Sequence, residues 1–270
     1  MLGKLVKNEI KASAHTMANI YIAALVTIGI MLLAYLVDIN WLSGLATIAL
    51  IFIAIIALII TFVGVIANFY KTLYGPQGYL SFTLPVSSSQ LLASKAIVAF
   101  LWMIVSYAVS IALFIGVYMY VTSLIGENNI EMIKMVINMF RSLPTEVAIK
   151  EYLVLMLFVV FIQLAFLISE LFFAITFANT RVLQKLGAAA PIIVFFAVYI
   201  ICQVCIFLLT SYVPITVAPG ENGLVFSMGE TMMQSGGMSM GISGVIFELL
   251  ATAGLFVATG WLMKEKVNIK

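Results

Sequence analysis

The chain has 270 residues, of which 64% are hydrophobic and only 9% are charged. Because soluble domains carry about 25% charged residues, no water-soluble fold could bury this much apolar surface, and we predict an all-α integral membrane protein. The formal net charge of +2 is too small to favour nucleic acid or an acidic substrate as a partner.

The first sixteen residues are basic and polar, and they lack the small-residue cleavage site of a secretory signal peptide. Their spacing predicts an amphipathic helix (residues 1–16) that lies on the anionic cytoplasmic leaflet. The apolar face comprises Leu2, Leu5, Val6 and Ile10, and the basic face comprises Lys4, Lys7 and Lys11.

Six apolar segments are long enough to cross a bilayer, which requires about 20 residues per helix. The sequence therefore predicts a single transmembrane domain over residues 1–270 with six transmembrane helices. The predicted spans are 17–37, 42–67, 96–122, 152–177, 188–209 and 242–263.

The distribution of Lys and Arg predicts the orientation of these spans, since cytoplasmic loops are enriched in both residues. With the N-terminus inside, ten of the thirteen Lys and Arg residues fall on the cytoplasmic side and only Lys134, Arg141 and Lys150 fall outside. We therefore expect a multi-pass membrane protein with both termini in the cytoplasm. The acidic residues predicted to lie outside are Asp38, Glu127, Glu131, Glu146, Glu151, Glu221 and Glu230.

Two long loops are predicted outside and one inside. The external loop 123–151 contains an amphipathic stretch between Asn129 and Pro144 that predicts a short helix on the outer leaflet. The external loop 211–241 is rich in glycine and methionine, which suits an apolar filler of a mobile or membrane-dipping element better than a Cu(I) site, since no His or Cys lies nearby. The cytoplasmic loop is the stretch 68–95.

The stretch 68–95 reads NFYKTLYGPQGYLSFTLPVSSSQLLASK. Gly75-Pro76 and Gly78 predict a turn, and Ser87 to Ser89 can cap a helix that begins near Gln90. Between these breaks, residues 79–84 are too few to span a membrane and too apolar for a free loop, so we expect them to dock against another surface. An aromatic-rich interfacial loop is the alternative.

The sequence offers no motif for catalysis or nucleotide binding. It contains no G-x-x-x-x-G-K-[ST] phosphate-binding loop, no H-E-x-x-H and no G-x-S-x-G. We therefore predict a non-enzymatic chain without a bound cofactor. If ATP drives this protein, another polypeptide must bind it.

Residues Phe69 through Ser87, followed by Leu91, Leu92 and Lys95, resemble the loop between the second and third spans in a family of small ABC-2-type permease subunits of Gram-positive bacteria. The predicted six-span layout with both ends inside is similar as well. In that family an acidic residue often precedes the Gly-Tyr-Leu, whereas this chain has Pro76-Gln77 there.

The resemblance implies an ABC-2 exporter-like membrane subunit that pairs with a second permease, as a homodimer or a heterodimer. Two ATPase subunits would bind ATP and Mg, and a coupling helix within 68–95 would dock into them. The amphipathic helix 1–16 would correspond to the connecting helix of these exporters. The resemblance also implies that the loop 211–241 forms a re-entrant external gate and that the membrane is a bacterial plasma membrane. The residues implied in coupling are Lys71, Tyr74, Tyr79, Leu80, Phe82, Leu84 and Pro85.

Two acidic residues fall within predicted spans, Glu170 in the fourth and Glu248 in the sixth. A carboxylate inside a membrane is costly, so each is a functional candidate. Glu170 shares a helical stripe with Gln163, and it suits a hydrogen bond across a permease dimer, a contact with cationic cargo or a proton relay. For Glu248 the alternative is that its side chain extends to the external lipid headgroups. Cys202 and Cys205 are interpreted as apolar packing rather than a redox or metal site.

The leading hypothesis is therefore the permease subunit of an ATP-driven exporter that moves a hydrophobic or amphipathic cargo, such as a peptide, a drug or a lipid. One alternative is an ion-coupled secondary transporter that uses Glu170 and Glu248. The other is a non-transporting membrane sensor or scaffold whose loops are its working parts. A stoichiometric ATPase that co-purifies with the chain would discriminate the first hypothesis from the other two.

Overall fold

Long helices make up most of the computed structural model, which describes residues 2–37, 40–75, 78, 87–124, 146–180, 183, 187, 189–220, 223–228 and 239–265. The structure confirms the prediction of a mostly helical chain. The helices are α1 (Leu2–Leu36), α2 (Asn40–Leu73), α3 (Ser88–Leu124), α4 (Glu146–Ala178), α5 (Ala190–Tyr212) and α6 (Ile242–Glu265).

Five stretches within these helices are long and apolar enough to cross a membrane, and a sixth qualifies if the bent helix α1 is one span. The five are Trp41–Leu73, Ser88–Val121, Lys150–Ala178, Ala190–Tyr212 and Ile242–Lys264. The segments predicted as an amphipathic helix and a first span form one continuous helix, α1, which bends by 46° between Leu2–Ala14 and Met17–Leu33.

Exposed and buried side chains are distributed as expected for a helical multi-pass membrane protein. Large apolar side chains such as Phe207 and Val257 are 68% and 74% exposed, and in water such surfaces would be unfavourable at about 25 cal/mol per Å². Small and hydroxyl-bearing residues such as Ala54 and Thr61 are instead fully buried. Lipid as the solvent accounts for both, since small residues allow helices to approach closely in membranes.

The chain divides into two compact units, Met1–Glu131 and Met132–Lys270. In the N-terminal unit, α1, α2 and α3 all pack against one another. One of its hydrophobic clusters is centred on small and medium-sized side chains of these three helices. Its buried members are Ala24, Met31, Ala46, Leu50, Ala54, Leu113 and Val117.

Hydroxyl groups join the same three helices inside the apolar layer. The Ser106 Oγ on α3 lies 2.7 Å from the Tyr21 Oη on α1 and 2.5 Å from the Thr61 Oγ1 on α2, and Ser106 is fully buried. Ser110 Oγ donates a hydrogen bond of 2.9 Å to the Ala54 carbonyl oxygen. Such hydrogen bonds between membrane helices contribute about 0.6 kcal/mol each on average, so they act chiefly by fixing the helix register.

In the C-terminal unit, α4 packs against both α5 and α6, and α5 also packs against α6. Fully buried apolar side chains on α4, such as Ile168 and Phe172, lie in this packing. Pro191, near the start of α5, suits a first helical turn because its missing N–H would have no partner within the helix.

A small antiparallel sheet precedes α6, and the sequence did not predict it. Strands β1 (Ile215–Pro219), β2 (Leu224–Met228) and β3 (Met240–Gly241) lie in the order β2-β1-β3. Ile215 pairs with Met228 and Val217 with Met240. The loop 211–241 is therefore not wholly helical or irregular, and two of its methionines belong to strands. The predicted membrane-dipping gate otherwise falls on residues 229–238, outside the described residues.

Candidate functional site

The cytoplasmic stretch predicted to couple to a partner begins at the end of α2. Here the backbone turns sharply: the Gly75 N–H donates to the Tyr70 carbonyl oxygen (3.0 Å), and the Gly78 N–H donates to that of Gly75 (2.8 Å). A Cβ atom on Gly78 would collide with the Leu73 carbonyl oxygen, and one on Gly75 would lie 2.8 Å from that of Lys71. Both close approaches require glycine, so the turn predicted here is confirmed.

The stretch ends at the start of α3, where Ser87 caps the helix. The Gln90 N–H donates a 3.3 Å hydrogen bond to the Ser87 Oγ, and the Leu91 N–H donates one of 3.1 Å to the Ser87 carbonyl oxygen. Ser87 thus satisfies N–H groups of the first turn that have no partner within the helix. The cap predicted from the serine run is confirmed, with the helix beginning at Ser88.

Between these two helix ends, one charged cluster joins α1, α2 and α3. The Lys95 Nζ on α3 donates to the Glu9 Oε1 on α1 and to the Thr72 Oγ1 on α2, each over 2.6 Å. The Asn68 Nδ2 on α2 donates a 3.2 Å hydrogen bond to the other carboxylate oxygen of Glu9. We call Glu9, Asn68, Thr72 and Lys95 the ion-pair cluster.

The ion-pair cluster lies in a largely dry environment. The Lys95 side chain is only 2% exposed and that of Glu9 is 17% exposed. Both carboxylate oxygens of Glu9 accept hydrogen bonds, and the Thr72 hydroxyl in turn donates to the Asn68 carbonyl oxygen over 2.6 Å. A buried ion pair of this kind adds little net stability over an apolar pair, but removing one partner costs about 3–5 kcal/mol.

The position of the ion-pair cluster gives it a mechanical consequence. Asn68 and Thr72 lie in the last two turns of α2, and Lys95 lies near the start of α3. The segment between α2 and α3 therefore emerges from two helix ends that are both bonded to Glu9 of α1. Because of these bonds, α1, α2 and α3 are tied together where that segment leaves them.

Two of the residues implied in coupling lie beside the ion-pair cluster. Lys71 is exposed in the last turn of α2, and Tyr74, at the turn, has its ring 6.2 Å from that of the buried Phe69 and 6.4 Å from that of Tyr70. The other five, Tyr79, Leu80, Phe82, Leu84 and Pro85, lie outside the described residues, so their role stays a prediction.

The polar candidates inside the spans occupy different surroundings. Glu170 on α4 is 1% exposed, whereas Gln163, predicted to lie on the same stripe, is exposed. Glu248 on α6 is half-buried, and its charge lies within electrostatic range of the Glu170 carboxylate. The two glutamates therefore lie within electrostatic range of each other, and Gln163 lies on the outer surface of its unit.

Sequence reasoning missed three members of the ion-pair cluster and one residue beside Glu170. Glu9, Asn68 and Thr72 were not singled out, because pairing with Lys95 depends on how three helices pack. Cys202, interpreted as apolar packing, has its thiol within hydrogen-bonding reach of the Glu170 side chain. The only available signal was polarity within an apolar stretch, which marks a residue without identifying its partner.

Within the described part of the chain, no group of three or more His, Cys, Asp or Glu is arranged to hold a metal ion. Comparison with known proteins adds no relative: no family model, curated protein or solved structure matches the chain.

Proposed function

We propose that this chain is the membrane-spanning permease subunit of an ATP-driven exporter of the ABC-2 type, and that the stretch 68–95 receives the force from a separate ATPase. The ion-pair cluster is the observation that carries the proposal. It links both ends of that stretch to α1, as a segment that transmits an external force requires.

The sequence supports the division of labour between chains. It has no phosphate-binding loop, so ATP and Mg would be bound by the partner ATPase. Residues 79–85 alternate apolar and polar side chains, with Leu80, Phe82 and Leu84 apolar and Ser81 and Thr83 polar. The apolar side chains would then enter an apolar groove on the ATPase, and apolar anchors of this kind carry most of the energy of an interface.

The proposed mechanism follows from this linkage. Closure of the ATPase dimer on ATP displaces the stretch 68–95. The ion-pair cluster transmits the displacement to the ends of α1, α2 and α3, and the spans reorient around a path between this permease and a second one, either a copy of the chain or a different chain. The apolar spans suit a hydrophobic or amphipathic cargo, such as a peptide, a drug or a lipid.

The test is retention of an ATPase by the tagged chain after detergent extraction from its native membrane. We expect a stoichiometric ATPase to co-purify with the wild-type chain. The double variant Leu80→Asp, Phe82→Asp should lower its retention at least about tenfold, because each buried charge costs more than the ~1.4 kcal/mol that corresponds to a factor of ten.

The matched control is Ser81→Asp, Thr83→Asp, which adds the same charge to the same segment at its polar positions. This control should retain the ATPase at close to the wild-type level. Equal retention by both double variants, or a wild-type chain that brings down no ATPase, contradicts the proposal. The second result would favour the ion-coupled alternative, in which Glu170 and Glu248 bind the coupling ion.

A further inference from the structure

Three helices of the C-terminal unit place titratable side chains next to one another inside the predicted membrane layer. Glu170 comes from α4, Cys202 from α5 and Glu248 from α6. The thiol of Cys202 lies within hydrogen-bonding reach of the Glu170 side chain, and the Glu248 carboxylate lies within electrostatic range of that same group. We call Glu170 and Glu248 the carboxylate pair.

Each member of the carboxylate pair has a buried oxygen with no hydrogen-bond partner among the described residues. These atoms are Oε1 of Glu170 and Oε2 of Glu248. Glu170 is 1% exposed, so water cannot readily supply the missing bond. More than 90% of buried polar groups in folded proteins have a partner, and an exception often marks a bound ion or a catalytic or strained site.

Among the described residues, no fixed positive charge is shown near the pair. Helix α5 and the three strands contain no charged residue. The lysines on the other two helices whose side chains the structure describes lie towards the ends, Lys150 at the first position of its span and Lys264 in the last turn of α6. The other titratable group that acts on Glu170 is the thiol of Cys202, and Cys205 in turn acts on Cys202.

Two ionised carboxylates in this position would be strongly unfavourable. Burial of one unpaired charge in a low-dielectric interior costs several kcal/mol, and a second negative charge within interaction range adds repulsion. A hydrogen bond from Cys202 would compensate only a small part of this cost, because a thiol is a weak donor.

We propose that the carboxylate pair is a binding site for a small monovalent cation, a proton or a sodium ion. The ligand neutralises one of the two charges and supplies a partner to the unpaired oxygen of Glu170 or of Glu248. The inference depends on the C-terminal unit alone and does not require that an ATPase drives the protein.

The experiment is thermal unfolding of the purified full-length chain in detergent, followed by the fluorescence of its three tryptophans. One series raises the pH in sodium-free choline chloride, and a second replaces choline by sodium at constant ionic strength and high pH. If the site holds a proton, the folded chain binds more protons than the unfolded chain, so Tm falls as the pH rises. Recovery of Tm on addition of sodium identifies sodium as a ligand, and no recovery identifies the proton alone.

The double variant Glu170→Gln, Glu248→Gln removes both charges with little change in shape. Its Tm should therefore fall less than that of the wild type as the pH rises, and it should not recover on addition of sodium. The matched control is Glu151→Gln, an exposed carboxylate on the same helix as Glu170, which should keep the wild-type response. A double variant that responds to pH and sodium as the wild type does overturns the proposal.

A second measurement decides the question if the double variant does not fold. Infrared spectra of the wild-type chain in choline at neutral pH should show the carbonyl band of a neutral carboxyl group, since exposed carboxylates are ionised there. Addition of sodium should remove that band if sodium displaces the proton. A spectrum with no neutral carboxyl group, together with a Tm that ignores sodium, overturns the proposal.

Discussion

The ion-pair cluster provides the sharpest test of how the N-terminal unit holds together. Substitution of Glu9 by Leu removes the only carboxylate hydrogen-bonded to Lys95 among the described residues and leaves the Lys95 ammonium 2% exposed with the Thr72 hydroxyl as its described acceptor. We expect this change to lower the free energy of unfolding by about 3–5 kcal/mol, the usual cost of an uncompensated buried charge.

Removal of the other partner, by Lys95→Met, should lower the free energy of unfolding by less. Glu9 is 17% exposed and keeps its hydrogen bond from Asn68, so water can partly replace the ammonium group. Two charge-assisted hydrogen bonds are lost, each with a net value of about 1.5–3 kcal/mol before that compensation. We therefore expect a loss of about 2–3 kcal/mol.

The double variant Glu9→Leu, Lys95→Met tests whether the two residues act as a pair. It leaves no buried charge, and Thr72 keeps its hydrogen bond to the Asn68 carbonyl oxygen. Apolar replacements of buried ion pairs often change stability little. The free energy of unfolding of the double variant should therefore lie within about 1–2 kcal/mol of the wild-type value.

The assay is unfolding of the detergent-solubilised chain by titration with sodium dodecyl sulfate, combined with amide hydrogen exchange of residues 2–14. Exchange in this stretch should accelerate in the Glu9→Leu variant and return towards the wild-type rate in the double variant. The reasoning is refuted if the two single effects add in the double variant, because residues that do not interact show additive changes.

The two helix ends that flank the coupling stretch give further tests. Ser87→Ala removes the cap of α3 and should lower the free energy of unfolding by about 0.5–2 kcal/mol in the same titration. Ser88→Ala, one residue later, should lower it by less. Equal losses in the two variants would rule out the capping role. Gly78→Ala places a Cβ against the Leu73 carbonyl oxygen and should cost about 1–3 kcal/mol. Gly116→Ala, whose Cβ would meet nothing within 4 Å, should be neutral or stabilising by up to about 1 kcal/mol; equal effects at the two glycines would contradict the steric argument.

The helices were predictable because each is a long apolar run, and long runs leave few alternatives. The start of α3 was also predictable, since the serine run offers a cap and the structure places Ser87 there. The small sheet could have been found: β1 contains the β-branched run Ile215, Thr216 and Val217, and the residues Pro219 to Gly223 that follow are turn formers. Composition rich in glycine and methionine directed attention away from that pattern.

The contacts that matter most were beyond reach from the sequence. Glu9 and Lys95 are 86 residues apart, and nothing in either local pattern specifies the other. Gln163 and Glu170 show the same limit on a single helix. They share a stripe by helical periodicity, yet one is exposed and the other 1% exposed, because burial depends on what packs at each height along the helix.

Each unit buries ionisable side chains, the N-terminal unit at the predicted cytoplasmic ends of its helices and the C-terminal unit inside the predicted membrane layer, and the two units neutralise charge differently. In the N-terminal unit the carboxylate of Glu9 has a counterion in the Lys95 ammonium, 2.6 Å away. In the C-terminal unit the carboxylate pair has only a thiol beside it among the described residues, so its neutralisation depends on an exchangeable cation. A fixed pair suits transmission of force, since its geometry does not vary with the solution. A carboxylate pair that binds an exchangeable cation suits a response to pH or sodium. Loss of that cation would favour separation of α4 from α6, because the two carboxylates would then repel each other.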